Sequence, residues 1–289
     1  MHYTTSHIIR TTSKLPACSA MAMEIIRYSY HSEIDKSNFL KLVSSDPILT
    51  IQILKTANAS LFNYPQKITS LEKALVILGF EMVRDIVLSL SVMSLFKEQS
   101  HHKYFHEICR HSLITALSLK ILAQNYDSDN KELLYLGGLL HDIGKILLLH
   151  KLGDEYYFLL EKDKQETSSL IELETKFLDY NHAELGAELA DQWNLPASVV
   201  SMIRFHHIPE RENLVDKQSF RNRLVYLGNL IACSLDENIE SPINLEELDP
   251  DLEKILAIST KDYTQIVDKV RKEIMGQKIF LDHFQIGTS

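Results

Sequence analysis

Leu136-Gly-Gly-Leu139-Leu140-His141-Asp142-Ile143-Gly144-Lys145-Ile-Leu147 is an apolar run broken by one His-Asp pair and one lysine. Leu136, Leu140, Ile143 and Leu147 recur at helical spacing, which predicts a helix with one face in a core. A His-Asp pair inside such a helix is expensive to bury without partners. Metal coordination satisfies both side chains together, because neutral imidazole and carboxylate are good ligands for divalent iron, manganese, nickel or zinc. A buried hydrogen-bonded pair is the plainer reading, and the dipeptide alone does not separate the two. Lys145, one turn from His141, can reach a phosphate oxygen or pair with Asp142.

The pair has company on the neighbouring helices. The segment 105–124 runs helically through Ile108, Leu113, Leu117, Ile121 and Leu122, and within it Glu107 and His111 are i and i+4, on one face. His182 opens a later helix, started by the capping pattern Asn181-x-x-Glu184, and His206-His207 follow another that begins at Pro196. Ligand-type residues thus recur once per helix across 107–207. Helical bundles build metal sites in this way, from one or two inward residues per helix. His101, His102 and His106 lie in a polar stretch and read as solvated surface.

Helix signals continue toward both ends. Asp46-Pro47 reads as an N-cap followed by Pro at the first helical position. Thr69-Ser70-Leu71-Glu72 reads as a capping box, opening a helix through Leu75, Leu78, Met82, Ile86 and Leu90. Asp46 and Asn58 read as helix-end hydrogen-bonders. Residues 219–236 read as one helix, 240–250 as a polar connection and 251–276 as amphipathic helix. That tail is expected to pack back, because its Leu224, Leu227, Leu230 and Ile231 face needs cover.

Composition narrows the class. The chain has 289 residues with only 9 Gly and 7 Pro, residues that sheet-rich folds spend at tight turns, and it has no long period-2 run. An all-α fold is expected. Thirty Lys and Arg against 39 Asp and Glu leave a net charge of −9, which argues against a nucleic-acid partner. Cys18, Cys109 and Cys233 form no C-x-x-C pair and fit free thiols in a reducing compartment. No apolar stretch reads as a membrane span and no secretory signal is evident, so the expected location is the cytoplasm, away from the membrane.

With these residues in view the chain resembles a known family. His111, His141-Asp142 and the later histidines are similar to the HD superfamily of metal-dependent phosphohydrolases. Leu15-Pro16, Asp46-Pro47-Ile-Leu-Thr50, Ile53-Leu-Lys-x-Ala57-Asn58, and Ile68-x-Ser70-Leu71-x-x-Ala74 through Leu78-Gly79 with Val83-Arg84 resemble the HDOD domain, over about residues 15–211. The resemblance implies an all-α HD/HDOD-type helical bundle over 15–211, after a flexible leader at 1–14. A helical C-terminal extension at 212–289 is expected to pack on the main domain. It implies a regulatory module acting through a signalling partner protein or a nucleotide ligand. The alternative is a metal-dependent phosphodiesterase or phosphohydrolase acting on a cyclic dinucleotide or other nucleotide.

The related HD-GYP phosphodiesterases imply a ligand set of Glu107, His111, His141, Asp142, His182, His206 and His207, with Lys145 contacting phosphate. In an active enzyme Asp142 and Lys145 would serve catalysis. The last ligand of that pattern is an Asp, and the best match here supplies Asn229. The segment after His206-His207 reads Ile-Pro-Glu-Arg-Glu-Asn and lacks the Gly-Tyr-Pro signature. Two divalent ions bring +4, whereas Asp142 and Glu107 return −2 and the imidazoles nothing. One ion, or a second weakly held, is the expectation.

Overall fold

The computed structural model describes residues 20–30, 36–58, 66–96, 103–163, 169–207, 216–236 and 259–276. Among these residues the regular elements are helices and none is a strand. They divide into two compact units. The leader, Cys18, His101, His102, the connection over 240–250 and nearly all of the segment 209–216 lie outside the described residues.

The first unit contains α1 (Ala20–Tyr30), α2 (Lys36–Ser44), α3 (Pro47–Ala57), α4 (Leu71–Leu78) and α5 (Phe80–Ser94). Ile25, Ile26, Phe39, Ile53, Ala74, Val83 and Val87 form its core. Asp46 caps α3 as its sequence implies, accepting from the Ile48 and Leu49 amides at 2.7 and 3.2 Å. Asn58 closes the other end: its Nδ2 donates to the Leu54 and Ile68 carbonyls at 2.7 and 2.8 Å, and its Oδ1 accepts from the Ile68 amide at 2.8 Å.

Two expectations are corrected here. The cap of α4 is Ser70 rather than Thr69, because Ser70 is the residue in extended backbone whose hydroxyl reaches the Lys73 amide. The helix expected to run from Leu71 through Leu90 is two helices. Gly79, at φ 78° and ψ 157°, turns the chain between them, a conformation that a residue with a Cβ rarely adopts.

The second unit contains α6 (Lys103–Tyr126), α7 (Lys131–Leu140), α8 (Ile143–Leu152), α9 (Asp154–Asp163), α10 (Leu170–Leu178), α11 (His182–Gln192), α12 (Ala197–Phe205), α13 (Lys217–Asp236) and α14 (Thr260–Gly276), the last through Glu273. Helix α6 is its axis, with α7 and α13 packed along it. Helix α11 lies against α8 and α12, and α12 against α7 and α13. Close packing needs glycine at Gly138, where a Cβ would stand 2.8 Å from the Ala116 Cα. The described part of the 251–276 segment is α14, which buries Tyr263, Ile266, Val267 and Val270.

The helix drawn through the His-Asp pair is also interrupted. His141 and Asp142 form a turn between α7 and α8, and Asp142 at φ −99° and ψ 14° leaves the helical ladder. Contrary to the sequence reading, the stretch Ser128–Leu152 is long and apolar enough to cross a membrane, but 83% of its most apolar window is buried inside the protein. It is the core pair α7–α8.

Candidate metal centre

Five elements of the second unit converge on the Asp142 carboxylate or its ligand neighbours. His111 comes from the middle of α6, His141 and Asp142 from the α7–α8 turn, and His182 from the first position of α11. His206 and His207 follow the end of α12, and Asn229 lies in α13. The side chains of His141, Asp142, His182 and His206 are essentially sealed from solvent.

Distances divide the cluster in two. His182 Nε2 and His206 Nε2 each lie 3.4 Å from Asp142 Oδ1, and His182 Nε2 is 3.0 Å from His207 Nε2. On the other side His141 Nε2 lies 3.3 Å and His111 Nε2 4.0 Å from Asp142 Oδ2. Donor atoms of Asp142, His182, His206 and His207 stand within 4.8 Å of one another, as do those of His111, His141 and Asp142. Asp142 is shared.

The imidazoles are aimed from behind. His141 Nδ1 bonds the Gly138 carbonyl and His206 Nδ1 the Ile203 carbonyl, each at 2.7 Å. Each ring donates through Nδ1 and turns its Nε2 lone pair inward. Yet His141 Nε2, His206 Nε2 and Asp142 Oδ1 are buried without a hydrogen-bond partner. Buried polar atoms are nearly always paired, so three orphans on side chains around one carboxylate fit a cation.

Protonation is also suited to one. Burial pushes His141 down to about 4 against the pull of Asp142, and burial drives His182 and His207 well below the usual imidazole range. Burial opposes ionisation of Asp142, but His141 and Lys145 outweigh it and hold the carboxyl well below the carboxylate range. Neutral imidazoles around an ionised carboxylate are the ligating forms.

Residues 15–209 match the HDOD domain family. The chain belongs to that family. The HDOD chain is similar in fold to an HDOD domain protein of unknown function from Geobacter sulfurreducens (21% identity, TM-score 0.77, covering 97% of this chain and 96% of that one). It is also similar to a candidate signal transduction protein from Marinobacter aquaeolei (19%, TM-score 0.78, 96% and 61%). A candidate phosphohydrolase from Shewanella amazonensis shares the fold as well (18%, TM-score 0.68, 96% and 97%). The HDOD chain spans 42% and 44% of the length of the curated relatives it matches.

One of the expected ligands stands apart in this HDOD chain. Glu107 is outside both donor groups; its side chain is 44% exposed and pairs with Lys103 at 3.7 Å. Asn229 does face the cluster, with Oδ1 2.8 Å from His111 Nε2. Lys145 Nζ donates to Asp142 Oδ2 at 2.8 Å. His106, expected at the surface, is partly buried against Phe105.

Sequence reasoning missed Glu174. This fully buried carboxylate of α10 accepts from His182 Nδ1 at 2.6 Å, from the His182 amide at 2.8 Å and from the Tyr156 hydroxyl at 2.5 Å. Burial pushes it up to about 7, with the Tyr156 and His182 bonds pulling the other way. A signal was available: Leu170, Leu173 and Glu174 share one helical face, and a carboxylate on an apolar stripe asks for a partner.

The placement of Asn229 yields an expected result. Asn229→Asp puts a charged oxygen beside His111, where a divalent cation prefers carboxylate to amide. Affinity for an ion at the His111 side should rise roughly tenfold, the low end of what changes around metal ligands produce. Metal titration of the purified variant checks it, and an unchanged stoichiometry and affinity would remove residue 229 from the site.

Proposed function

We propose that this HDOD chain is a signalling or regulatory module carrying a divalent-metal centre, acting by binding a partner protein or a nucleotide rather than by turnover. One observation carries the reading: His141 Nε2, His206 Nε2 and Asp142 Oδ1 are all buried without a hydrogen-bond partner, in side chains gathered around the one carboxylate. Leaving such atoms unpaired costs about 1–3 kcal/mol each. Asp142, His111, His141, His182, His206 and His207 would hold the metal. Three to five imidazoles suit iron, nickel, zinc or manganese better than calcium.

Charge supports binding over catalysis. With Glu107 outside the donor groups, Asp142 returns only −1 against the +4 of two ions, and Lys145 adds a further positive charge. Two-metal hydrolysis needs both ions. The second reading, a metal-dependent phosphohydrolase, is favoured by the near-complete imidazole set and by Lys145 beside it. A bound ion would supply Lewis acidity toward a phosphoryl oxygen. Lys145 would hold Asp142 or an arriving phosphate, and the buried histidines would exclude bulk water.

The test is metal content of the purified chain, followed by assays with cyclic-di-GMP and a generic phosphodiester in supplemented metal. Bound metal without appreciable turnover is the expected outcome. Hydrolysis at about 1 per second or faster, lost in His141→Ala, would establish the enzyme instead.

A further inference from the structure

We propose that the two halves of the centre are unequal: the chain holds one ion tightly, between Asp142 Oδ1, His182, His206 and His207, and the His111–His141 side is weak. This rests on the reading of the cluster as a metal centre and says where the ion sits and what it does there.

The argument is which donors are already spoken for. On the His111 side, Asp142 Oδ2 takes the Lys145 ammonium at 2.8 Å, and His111 Nε2 is bonded to Asn229 Oδ1 at 2.8 Å. A cation there must break the His111–Asn229 bond, share Oδ2 with the ammonium and stand beside a fixed positive charge. Of that side's donors only His141 Nε2 is an orphan. On the other side Asp142 Oδ1 and His206 Nε2 are both orphans. His182 Nε2 and His207 Nε2 are hydrogen-bonded to each other at 3.0 Å, a bond between two ligand atoms of the same side that an ion replaces with two coordinate bonds. His182 Nε2 also lies 3.4 Å from Asp142 Oδ1.

Support from behind is unequal too. His182 is the ring backed by a buried carboxylate, Glu174, which bonds both its Nδ1 and its amide. Such carboxylate–histidine pairs orient the ring and make it a stronger ligand. Glu174 is therefore a positioning residue. Its own place is fixed by Tyr156 at 2.5 Å.

Four protein donors on one side also decide the ion's role. A structural zinc-type site is closed by four protein ligands, whereas a catalytic one keeps a position open. Asp142, His182, His206 and His207 make a closed set, so the ion ties the α7–α8 turn to the start of α11 and the end of α12. Three imidazoles and one carboxylate suit zinc, iron or cobalt better than magnesium or calcium.

The test is cobalt(II) titration of the full chelator-treated chain, followed by visible absorption, with zinc competition and thermal unfolding in parallel. Wild type should take up one tight equivalent that raises the melting temperature. His207→Ala, at a partly exposed position, should weaken that equivalent about 100-fold, and Glu174→Gln about 10-fold with a changed cobalt spectrum. Glu174→Asp should restore part of the loss, and His111→Ala should leave the tight equivalent intact. Circular dichroism confirms that each variant is folded. Loss of the tight equivalent in His111→Ala with retention in His207→Ala would overturn the assignment while leaving the metal centre standing. So would two equally tight equivalents in wild type. Absence of any cobalt or zinc binding by wild type would overturn the metal reading and this assignment together.

Discussion

Asp142→Asn is expected to abolish tight metal binding while the chain stays folded. Asp142 is the carboxylate common to both donor groups, with Oδ1 facing His182 and His206 and Oδ2 facing His141 and His111. Asn keeps the shape and an oxygen for Lys145 but removes the charge that offsets a divalent ion. Removing one member of a buried charge pair costs about 3–5 kcal/mol, roughly a thousandfold in Kd. Metal-free stability should fall as well, because the Lys145 ammonium loses its ion pair. Elemental analysis after dialysis, with zinc titration of the same sample, reads the first effect. An Asp142→Asn chain that retains stoichiometric metal would refute a centre built on this carboxylate.

Gly144→Ala should be among the most damaging single methyl additions in the second unit. A Cβ on Gly144 would lie 1.9 Å from the His182 carbonyl oxygen and 2.9 Å from the Gly186 amide nitrogen. Both obstacles are backbone, so no side chain can swing away, and α8 and α11 must separate. Overpacking of this kind costs about 3 kcal/mol or more, which corresponds to a melting temperature lower by roughly 6–12 °C. His182 opens α11, so the same displacement should also weaken metal binding. Gly137→Ala is the control: its Cβ meets the Met202 Cε at 2.6 Å, the far end of a flexible side chain, and the loss should be small. Equal melting temperatures for the two variants would show that the α8–α11 contact is not the tight point it looks to be.

Much of this was legible in the amino-acid order. Local rules act over three or four residues, so Asp46-Pro47 and Asn181-x-x-Glu184 announce helix starts that the backbone honours. The residue types of the centre could be named for a similar reason. A histidine or Asp on an apolar helix is conspicuous because burying it needs a partner.

What the partner is, and which atom meets it, was decided by tertiary structure. Glu107 and His111 share a helical face, yet one is 44% exposed and the other 15%, because four residues also separate them by about 6 Å along the axis. Periodicity gives an azimuth; how far the neighbouring helices cover it is not written locally. Asn229 sits about 200° round α13 from Leu227, outside the obvious stripe. It still faces His111, because Leu224, Val225, Ile231 and Ala232 are all buried and α13 is covered on nearly every side. Glu174 and His182 are eight residues apart with a turn between α10 and α11, and only that turn brings the carboxylate behind the ring. The division of the Asp142 oxygens is the last such case. Sequence names the carboxylate, but which oxygen Lys145 takes and which is left for an ion depends on helices that are distant in the chain and adjacent in space.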